Sequence, residues 1–257
     1  MDEATVAALL SAPKLEGVRR ALCVQPHPDD NEIGMGGTIA WLAARGCEVD
    51  YLTVTDGALG DTTGAFADSP GELARVRRVE AEASGRLLGV RGFRFFDLPD
   101  GSLSDVPTLA GMVAETVREG GYDAVFCPDP WSSYEAHWDH VVTGRAVAQA
   151  AISCSLAQYP AGTATAPAQL ALVGFYFTAV PNAVVDVTEF GELKMRAIAA
   201  HASQINAELL EMYGAYFAVR GARLAAEHGM GEGRAVEGLK LLSPLHLHCF
   251  PEASEIR

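Results

Sequence analysis

Residues 20–38 read RALCVQPHPDDNEIGMGGT, an apolar run of strand length that leads into a histidine, two aspartates and a glycine-rich segment. We predict a strand over Arg20–Gln25 and a helix beyond the loop, because Ile39 and Leu42 recur at helical spacing before Gly46. A buried strand that passes through a short loop into a helix is typical of βαβ units, in which helices cover parallel strands.

The same alternation continues along the chain. Ser69-Pro70-Gly71-Glu72 has the residues of a helix start, with serine at the N-cap, proline in the first turn and a capping-box glutamate. We predict an α/β fold: a Rossmann-like, mostly parallel sheet with helices on both faces over about residues 18–157, extended by strands and a helix over about 170–257, in a single domain 1–257. Further strands are predicted over residues 47–55, 93–98, 122–127 and 171–179, and further helices over about 70–88, 109–118, 140–156 and 189–213.

The charge of the chain excludes two classes of partner. The 33 acidic and 19 basic side chains leave a formal net charge of −14. Such a surface repels nucleic-acid phosphates and anionic lipids. No apolar run approaches the roughly 18 residues that a membrane span requires. We therefore predict no nucleic-acid partner and no membrane span, and a small molecule as the substrate.

Cysteine usage indicates the compartment. The five cysteines are scattered and odd in number, which fits neither a disulfide framework nor a thiolate zinc site. The acidic N-terminus also lacks the layout of a signal peptide. We therefore predict a cytoplasmic protein. The cysteines are Cys23, Cys47, Cys127, Cys154 and Cys249.

Histidines and aspartates follow the first and fourth predicted strands, at the edge where open α/β sheets bind ligands. His27 and Asp30 follow the first strand, and His140 lies in the loop beyond the fourth. Two imidazoles and a carboxylate suit a borderline-soft cation, and catalytic zinc sites typically have three protein ligands and an open position. We predict that these three residues bind Zn²⁺ or another divalent cation.

Two neighbouring side chains complete a hydrolytic site. A bound metal lowers the pKa of water, and Asp29 is placed to accept its proton. His137, three residues before a predicted ligand, is placed to stabilise the oxyanion that forms when an amide carbonyl is attacked. The pattern predicts metal-assisted amide hydrolysis. A simpler interpretation is that Asp29 or Asp30 caps a helix opening near Gly36.

Other features of the sequence have less specific interpretations. The glycines of residues 34–37 lack the spacing of a dinucleotide-binding fingerprint. Trp131 is a candidate for stacking on a sugar ring. His246 and His248 alternate along a predicted C-terminal strand, so both side chains would face the same side. They are interpreted as extra metal ligands, as a subunit-interface contribution to the site, or as surface residues. We expect a structural role for His201.

Two motifs resemble those of the zinc-dependent N-acetylglucosaminyl-type deacetylases. They are Pro26-His27-Pro28-Asp29-Asp30, followed by Gly36-Gly37-Thr38, and His137-Trp138-Asp139-His140. The resemblance implies that His27, Asp30 and His140 ligate zinc, that Asp29 is the general base, and that His137 stabilises the oxyanion and protonates the leaving amine.

The resemblance also implies roles outside the two motifs. Arg77 and Asp100 occupy positions at which relatives contact sugar hydroxyls, and Asp139 orients a neighbouring imidazole. Tyr134 joins Trp131 as a predicted substrate contact, although its offset differs from that of the tyrosine in sugar deacetylases. Asn31, where many relatives have glutamate, and Trp138, often proline in relatives, depart from the pattern without changing a predicted ligand.

Together these observations predict a zinc-dependent deacetylase that removes the acetyl group of an N-acetylated amino sugar or its glycoside, with a lean towards the branch that includes chitin-disaccharide deacetylases. One alternative keeps the chemistry but cleaves an amide of a thiol conjugate or a natural-product intermediate. The lysine that thiol-cleaving members carry after the first motif is absent here. A second alternative is a non-catalytic, Rossmann-like module that binds sugar or nucleotide. We also predict a homo-oligomer.

Overall fold

Strands and helices alternate through most of the chain in the computed structural model, which describes residues 9–256. Within this range, four short 3-10 helices lie at Leu15–Gly17, Thr188–Phe190, Pro244–Leu247 and Pro251–Ser254. The longer elements are β1 (Arg20–Gln25), α1 (Asp30–Ala44), β2 (Glu48–Thr55), α2 (Pro70–Leu87), β3 (Gly92–Leu98), α3 (Val106–Gly120), β4 (Ala124–Pro128), α4 (Trp138–Ser153), β5 (Leu172–Tyr176), β6 (Ala183–Asp186), α5 (Gly191–Ala199), α6 (Ala207–Glu227) and β7 (Val236–Leu242).

The seven strands of the described residues form one sheet in the order β3-β2-β1-β4-β5-β7-β6. β2 pairs with β3 and β4 with β5 in parallel, with Thr53 opposite Phe95 and Cys127 opposite Phe175. β5 pairs with β7 antiparallel. The order of strands changes direction between β1 and β4, as in doubly wound folds. The predicted α/β, mostly parallel sheet is confirmed.

The described residues divide into two compact units. The first unit contains the described residues up to Leu22, Asp105–Ala183 and the residues from Gly238 onwards. The second unit contains Cys23–Ser104 and Val184–Glu237. The predicted single domain over residues 1–257 stays a prediction.

Helix α3 shows why the first unit folds as it does. Leu109, Val113 and Val117 recur every fourth residue and are buried. Asp105 begins the helix, since its side chain accepts the N–H of Thr108 at 3.0 Å, and Gly121, with φ of 61°, ends it in the left-handed region that glycine favours. The buried face of α3 packs against α4.

Helix α2 is a corresponding element of the second unit. It begins at Pro70, as the sequence predicts, but Ser69 makes no side-chain cap hydrogen bond, so the predicted capping box is wrong. Its buried face includes Leu73, Ala81 and Ser84. The hydroxyl of Ser84 donates to the carbonyl oxygen of Ala197 at 2.9 Å, which ties α2 to α5.

The single helix predicted over residues 189–213 is wrong. The chain instead forms a 3-10 turn, then α5, and then α6 after an irregular segment at residues 200–206. His201 is fully buried there, and its carbonyl accepts the N–H of Ile205 at 2.8 Å. Asn206 begins α6, because its side chain accepts the N–H of Leu209 at 2.8 Å.

The predicted strand carrying His246 and His248 is also wrong. Residues Pro244–Leu247 form a 3-10 helix, where Nδ1 of His246 accepts the N–H of Ser243 at 3.2 Å. His246 is buried and His248 is exposed, so the two side chains do not share a face. The strand of this region is β7, before the 3-10 helix.

Within the described residues, none of the helices has both the length and the apolar character needed to cross a membrane.

Candidate functional site

The loop after β1 is held at both ends by buried polar contacts. Gln25 donates through Nε2 to the hydroxyl of Thr53 at 2.9 Å. Its Oε1 accepts the N–H of Asn31 at 3.1 Å. The Asn31 amide donates to the carbonyl of Cys23 at 3.2 Å. These bonds fix the end of β1 to the start of α1, so the intervening His-Pro-Asp-Asp segment has a defined shape.

His27 lies between two carboxylates of the second unit. Its Nδ1 is 3.3 Å from Oδ2 of Asp30, and its Nε2 is 3.2 Å from Oδ1 of Asp100. Asp30 also accepts the N–H of His27 at 2.9 Å, and Asp100 accepts the N–H of Leu59 at 3.0 Å. The structure therefore brings His27, Asp30 and Asp100 together. The predicted contact of Asp100 with a sugar hydroxyl stays a prediction.

Burial and charge act in opposite directions on Asp100. Burial raises the pKa of this carboxyl group, but the hydrogen bond and positive charge of His27, the N–H of Leu59 and the charge of Arg77 outweigh burial and hold the pKa below its ordinary value. Asp100 therefore stays ionised beside His27.

Asp29 adopts a backbone conformation that is uncommon for aspartate. Its φ is 124° and ψ is −23°, a geometry that costs free energy and is concentrated at functional sites. It occupies the N-cap position of α1, yet its side chain makes no cap hydrogen bond. Its Oδ2 instead accepts from Nη2 of Arg77 at 3.2 Å. The helix opens at Asp30, so the prediction of a start near Gly36 and the capping interpretation of Asp29 are wrong.

The surroundings of Asp29 make it a stronger base than an exposed aspartate. Burial raises its pKa, the charge of Arg77 lowers it, and the charge of Asp30 raises it again. The result is a pKa of about 6, well above the ordinary value of 3.8. A carboxylate of this strength is ionised at neutral pH and close to the range that suits a general base.

Arg77 supports Asp29 through the backbone as well as directly. The guanidinium is buried and donates to the carbonyls of Pro28 at 2.8 Å and Gly57 at 2.9 Å. A Cβ atom at Gly60 would overlap Nη1 of Arg77, so the glycine permits this close approach. Arg77 thus joins the loops after β1 and β2. Its predicted contact with a sugar hydroxyl stays a prediction.

The glycine-rich segment lies within helix α1, not in a nucleotide-binding loop. The helix is interrupted at Met35, whose φ of −150° and ψ of 26° are not helical. Glu237 accepts the N–H groups of Gly37 at 3.0 Å and Thr38 at 2.7 Å, where the helix resumes. It also accepts the Thr38 hydroxyl at 2.7 Å and Nζ of Lys194 at 2.6 Å. Sequence analysis missed Glu237, and the only local signal is the glycine run that it completes.

His201 has a structural position next to the first turn of α1. Its Nε2 lies 3.5 Å from Oε2 of Glu32, and both side chains are fully buried. Burial lowers the pKa of His201, but the neighbouring carboxylate of Glu32, with the charges of Asp29 and Glu80, raises it above its ordinary value. This position agrees with the expected structural role.

The raised pKa of His201 leads to a pH prediction. A group whose pKa is higher in the folded protein contributes stability that is complete below its unfolded pKa and is lost as the pH rises through its folded pKa. We compare the metal-free protein with Glu32→Gln/His201→Gln, which has no titratable group at either position. The free energy of unfolding of the natural protein is expected to exceed that of the double variant by more near pH 5.5 than near pH 9. Urea unfolding at both pH values measures it, and a constant difference would contradict the prediction.

The second motif begins helix α4 in the first unit. His137 occupies the N-cap position and is exposed, whereas His140 is buried one turn later. Their rings stack with centroids 5.0 Å apart, and their ligand atoms lie within 4.8 Å of one another. The His140 ring also stacks on Phe177 at 6.0 Å. Asp139, which lies between the two histidines in sequence, is buried. Its role in orienting a neighbouring imidazole stays a prediction.

Glu135 is a further residue of this motif that sequence analysis missed. One carboxylate oxygen accepts the N–H of His137 at 2.7 Å. The other lies 3.4 Å from Nδ1 of His140. No spacing rule identifies this residue from sequence, because the loop before α4 is irregular.

The aromatic residues near His137 in sequence differ in the solvent exposure and the contacts of their rings. Trp131 is 46% exposed, but its ring meets the edge of Phe175 at 5.3 Å and lies under the guanidinium of Arg145 at 4.7 Å. Tyr134 is 98% exposed and Trp138 is 62% exposed. The last two rings therefore offer more open surface than Trp131.

The chain is an α/β protein in which the loops after β1 and β4 each carry histidine and aspartate side chains, residue types that bind divalent cations. The chain belongs to the PIG-L family, described as GlcNAc-PI de-N-acetylase, whose model matches residues 22–151. The resemblance drawn from the two motifs is confirmed.

Three relatives illustrate the similarity. The chain is 34% identical to the diacetylchitobiose deacetylase of Thermococcus kodakarensis over 93% of this chain and 89% of that protein. It is 28% identical to a probable N-acetyl-alpha-D-glucosaminyl L-malate deacetylase 2 of Bacillus cereus, over 74% of this chain and 86% of that protein. The structure of N,N'-diacetylchitobiose deacetylase from Pyrococcus horikoshii superposes with a TM-score of 0.88 at 31% identity, covering 100% of this chain and 98% of that one. These relatives favour the enzyme prediction over the non-catalytic module.

Proposed function

We propose that the protein is a zinc-dependent N-deacetylase that hydrolyses the acetamide of an N-acetylated amino sugar or its glycoside. The similarity to diacetylchitobiose deacetylases over most of the chain supports the reaction and the substrate class. The single structural observation that carries the chemistry is Asp29, a partly buried carboxylate of raised pKa that accepts a hydrogen bond from Arg77 and directly precedes Asp30.

His27, Asp30 and His140 are the proposed ligands of one divalent cation, with Zn²⁺ as the first choice. Two imidazoles and a carboxylate are the donor set of many catalytic zinc sites. Their loops follow β1 and β4, neighbouring strands between which the strand order changes direction, and open α/β sheets bind ligands at such a point. When bound, the cation polarises the amide carbonyl and lowers the pKa of a water molecule.

Three side chains have separate roles in the proposed hydrolysis. Asp29 accepts a proton from the attacking water, and its raised pKa suits that task at neutral pH. Arg77 keeps the Asp29 carboxylate in place. His137 donates a hydrogen bond to the carbonyl oxygen as negative charge develops, and afterwards gives a proton to the leaving amine.

Substrate contacts are proposed from exposure and position. Tyr134 and Trp131 remain proposed contacts, and Trp138 joins them because it is exposed and directly follows His137. Exposed aromatic rings bind the apolar faces of sugars while their polar edges stay hydrated. Arg77 and Asp100 remain proposed contacts for sugar hydroxyls. A disaccharide or an aryl glycoside fits these aromatic residues better than a free monosaccharide.

The cytoplasmic location and the homo-oligomer remain proposals as well. All five cysteines are free thiols, and four of them are buried. Free thiols are typical of proteins in a reducing compartment.

The proposed function predicts acetate release by zinc-loaded protein. We expect faster release from N,N'-diacetylchitobiose and an aryl N-acetylglucosaminide than from N-acetylglucosamine, because only the larger substrates reach the exposed aromatic residues. Enzymatic detection of acetate, with Asp29→Asn protein as the blank, measures it. Zinc-loaded protein that releases no acetate above this blank from any of the three would contradict the proposed substrate class.

A further inference from the structure

We propose that helix α6 is a homodimer interface, in which the α6 helix of a second copy of this chain lies antiparallel against its exposed face across a twofold axis. The proposal gives the proposed homo-oligomer a specific surface and is independent of the deacetylase reaction. Two observations carry it: the exposed apolar side chains of this face, and charges that are complementary when the two helices run in opposite directions.

One face of α6 packs within the second unit. Residues 207–220 include no fully buried residue. Among them, the Phe217 ring stacks on Tyr213 with centroids 5.7 Å apart and lies under Nζ of Lys194 at 3.9 Å. These contacts turn this face of the helix towards α5, which carries Lys194. The buried residues of α6 all lie near its carboxyl end: Gly221, Leu224 and Ala225.

The other face of α6 carries a row of exposed side chains. Val219 is 73% exposed, Tyr216 50% and Met212 49%. Exposed residues recur here at alternating spacings of four and three, the pattern of a helix that packs against another helix along one seam. Apart from the glutamate that begins it, the row is apolar, which is typical of an interaction surface. The row consists of Glu208, Met212, Ala215, Val219, Ala222 and Ala226.

The charges of this face determine the direction of the partner helix. Glu208 lies in the first turn, and Arg223, whose side chain is 80% exposed, lies about four turns later. A parallel pair of helices would bring like charges together. An antiparallel pair places Glu208 of each copy opposite Arg223 of the other, so the favourable contact occurs twice. Arg223 donates through Nε to Glu227 at 2.8 Å, and its Nη groups are further donors.

The same register brings the apolar side chains of the two copies together. With the two charges paired, Met212 of each copy faces Val219 of the other. Ala215 then faces Tyr216, since all of these pairs are centred on the same point of the helix. Methionine and tyrosine are enriched at protein interfaces. The face is therefore complementary to a second copy of itself, both in charge and in apolar contact.

The experiment measures the oligomeric state and the dissociation constant by analytical ultracentrifugation over a range of protein concentrations. Val219→Glu and Met212→Lys each place a charge against an apolar side chain of the partner copy. The double variant Met212→Lys/Val219→Glu places the lysine of each copy opposite the glutamate of the other. Val79→Glu is the matched control, because Val79 is 67% exposed on helix α2. Melting temperatures from circular dichroism show whether each variant is folded.

We expect the natural protein to associate, and each single variant to raise the dissociation constant at least about 30-fold, as at the centre of an interface. The double variant should recover at least about tenfold of that loss, and Val79→Glu should have no effect.

Three results would contradict the proposal in different ways. A natural protein that is monomeric at all concentrations, as when another segment or protein covers this face, would overturn both the interface and the homo-oligomer. An oligomer that both single variants leave intact would overturn the interface alone. A double variant that associates no better than the single variants would overturn the antiparallel pairing. None of these results depends on acetate release, so the proposed reaction is tested separately.

Discussion

Asp29→Asn is expected to lower the rate of acetate release by about 10²–10⁴-fold while zinc stays bound, the usual loss when a general base is removed. The asparagine side chain has nearly the same shape and still accepts a hydrogen bond from Arg77, but it cannot take a proton from water. Steady-state kinetics on the best substrate of the three, together with the zinc content of the purified protein, measure both effects.

Two further variants isolate the cause of that loss. Asp30→Ala is expected to lose zinc as well as activity, because it removes a proposed ligand. Asp68→Asn, at an exposed position that precedes α2, removes one carboxylate and is expected to change neither quantity. Near-natural turnover of Asp29→Asn would show that Asp29 is not the general base.

Glu237→Ala is expected to lower the free energy of unfolding by about 3–5 kcal/mol, the usual cost of removing one partner of a buried ion pair. Lys194 would be left charged in a buried position, and the N–H groups of Gly37 and Thr38 would lose their acceptor. Urea unfolding of the metal-free protein measures the loss. Glu232→Ala, on the exposed segment before β7, serves as the control and should stay within about 0.5 kcal/mol of the natural protein.

A double variant separates the contribution of the ion pair to stability from that of the hydrogen bonds at the helix break. Lys194→Met/Glu237→Met removes both charges, so the unpaired-charge part of the loss should disappear. The orphaned N–H groups at the helix break should still cost about 1–3 kcal/mol. If Glu237→Ala unfolds with natural stability, the buried carboxylate does not support helix α1 in the way described.

Local patterns predicted the elements whose determinants lie close together in sequence. β1 matches its predicted bounds, and α2 begins at Pro70 as its local residues indicate. The two motifs identified the family, because a His-Pro-Asp-Asp segment needs no distant residue to be recognised. The loop before α4 gave no such signal for Glu135.

The start of helix α1 was misjudged for a physical reason. Glycines have poor helix propensity, so Gly34, Gly36 and Gly37 favour a loop followed by a helix start near Gly36. In the folded protein the helix begins six residues earlier, at Asp30, and tolerates a break at Met35. Glu237 stabilises the resumed helix from a position 199 residues away from Thr38 in sequence.

Residue types and their spacing were sufficient for the fold class, the family and the two motifs, because these depend on neighbours along the chain. The distant partners of residues in and next to those motifs depend on folding. Arg77 donates to Asp29, Asp100 lies beside His27, and His201 lies beside Glu32. A buried polar group must find a partner wherever the packed chain supplies one, and hydrophobic periodicity carries no information about which distant carboxylate or guanidinium that is.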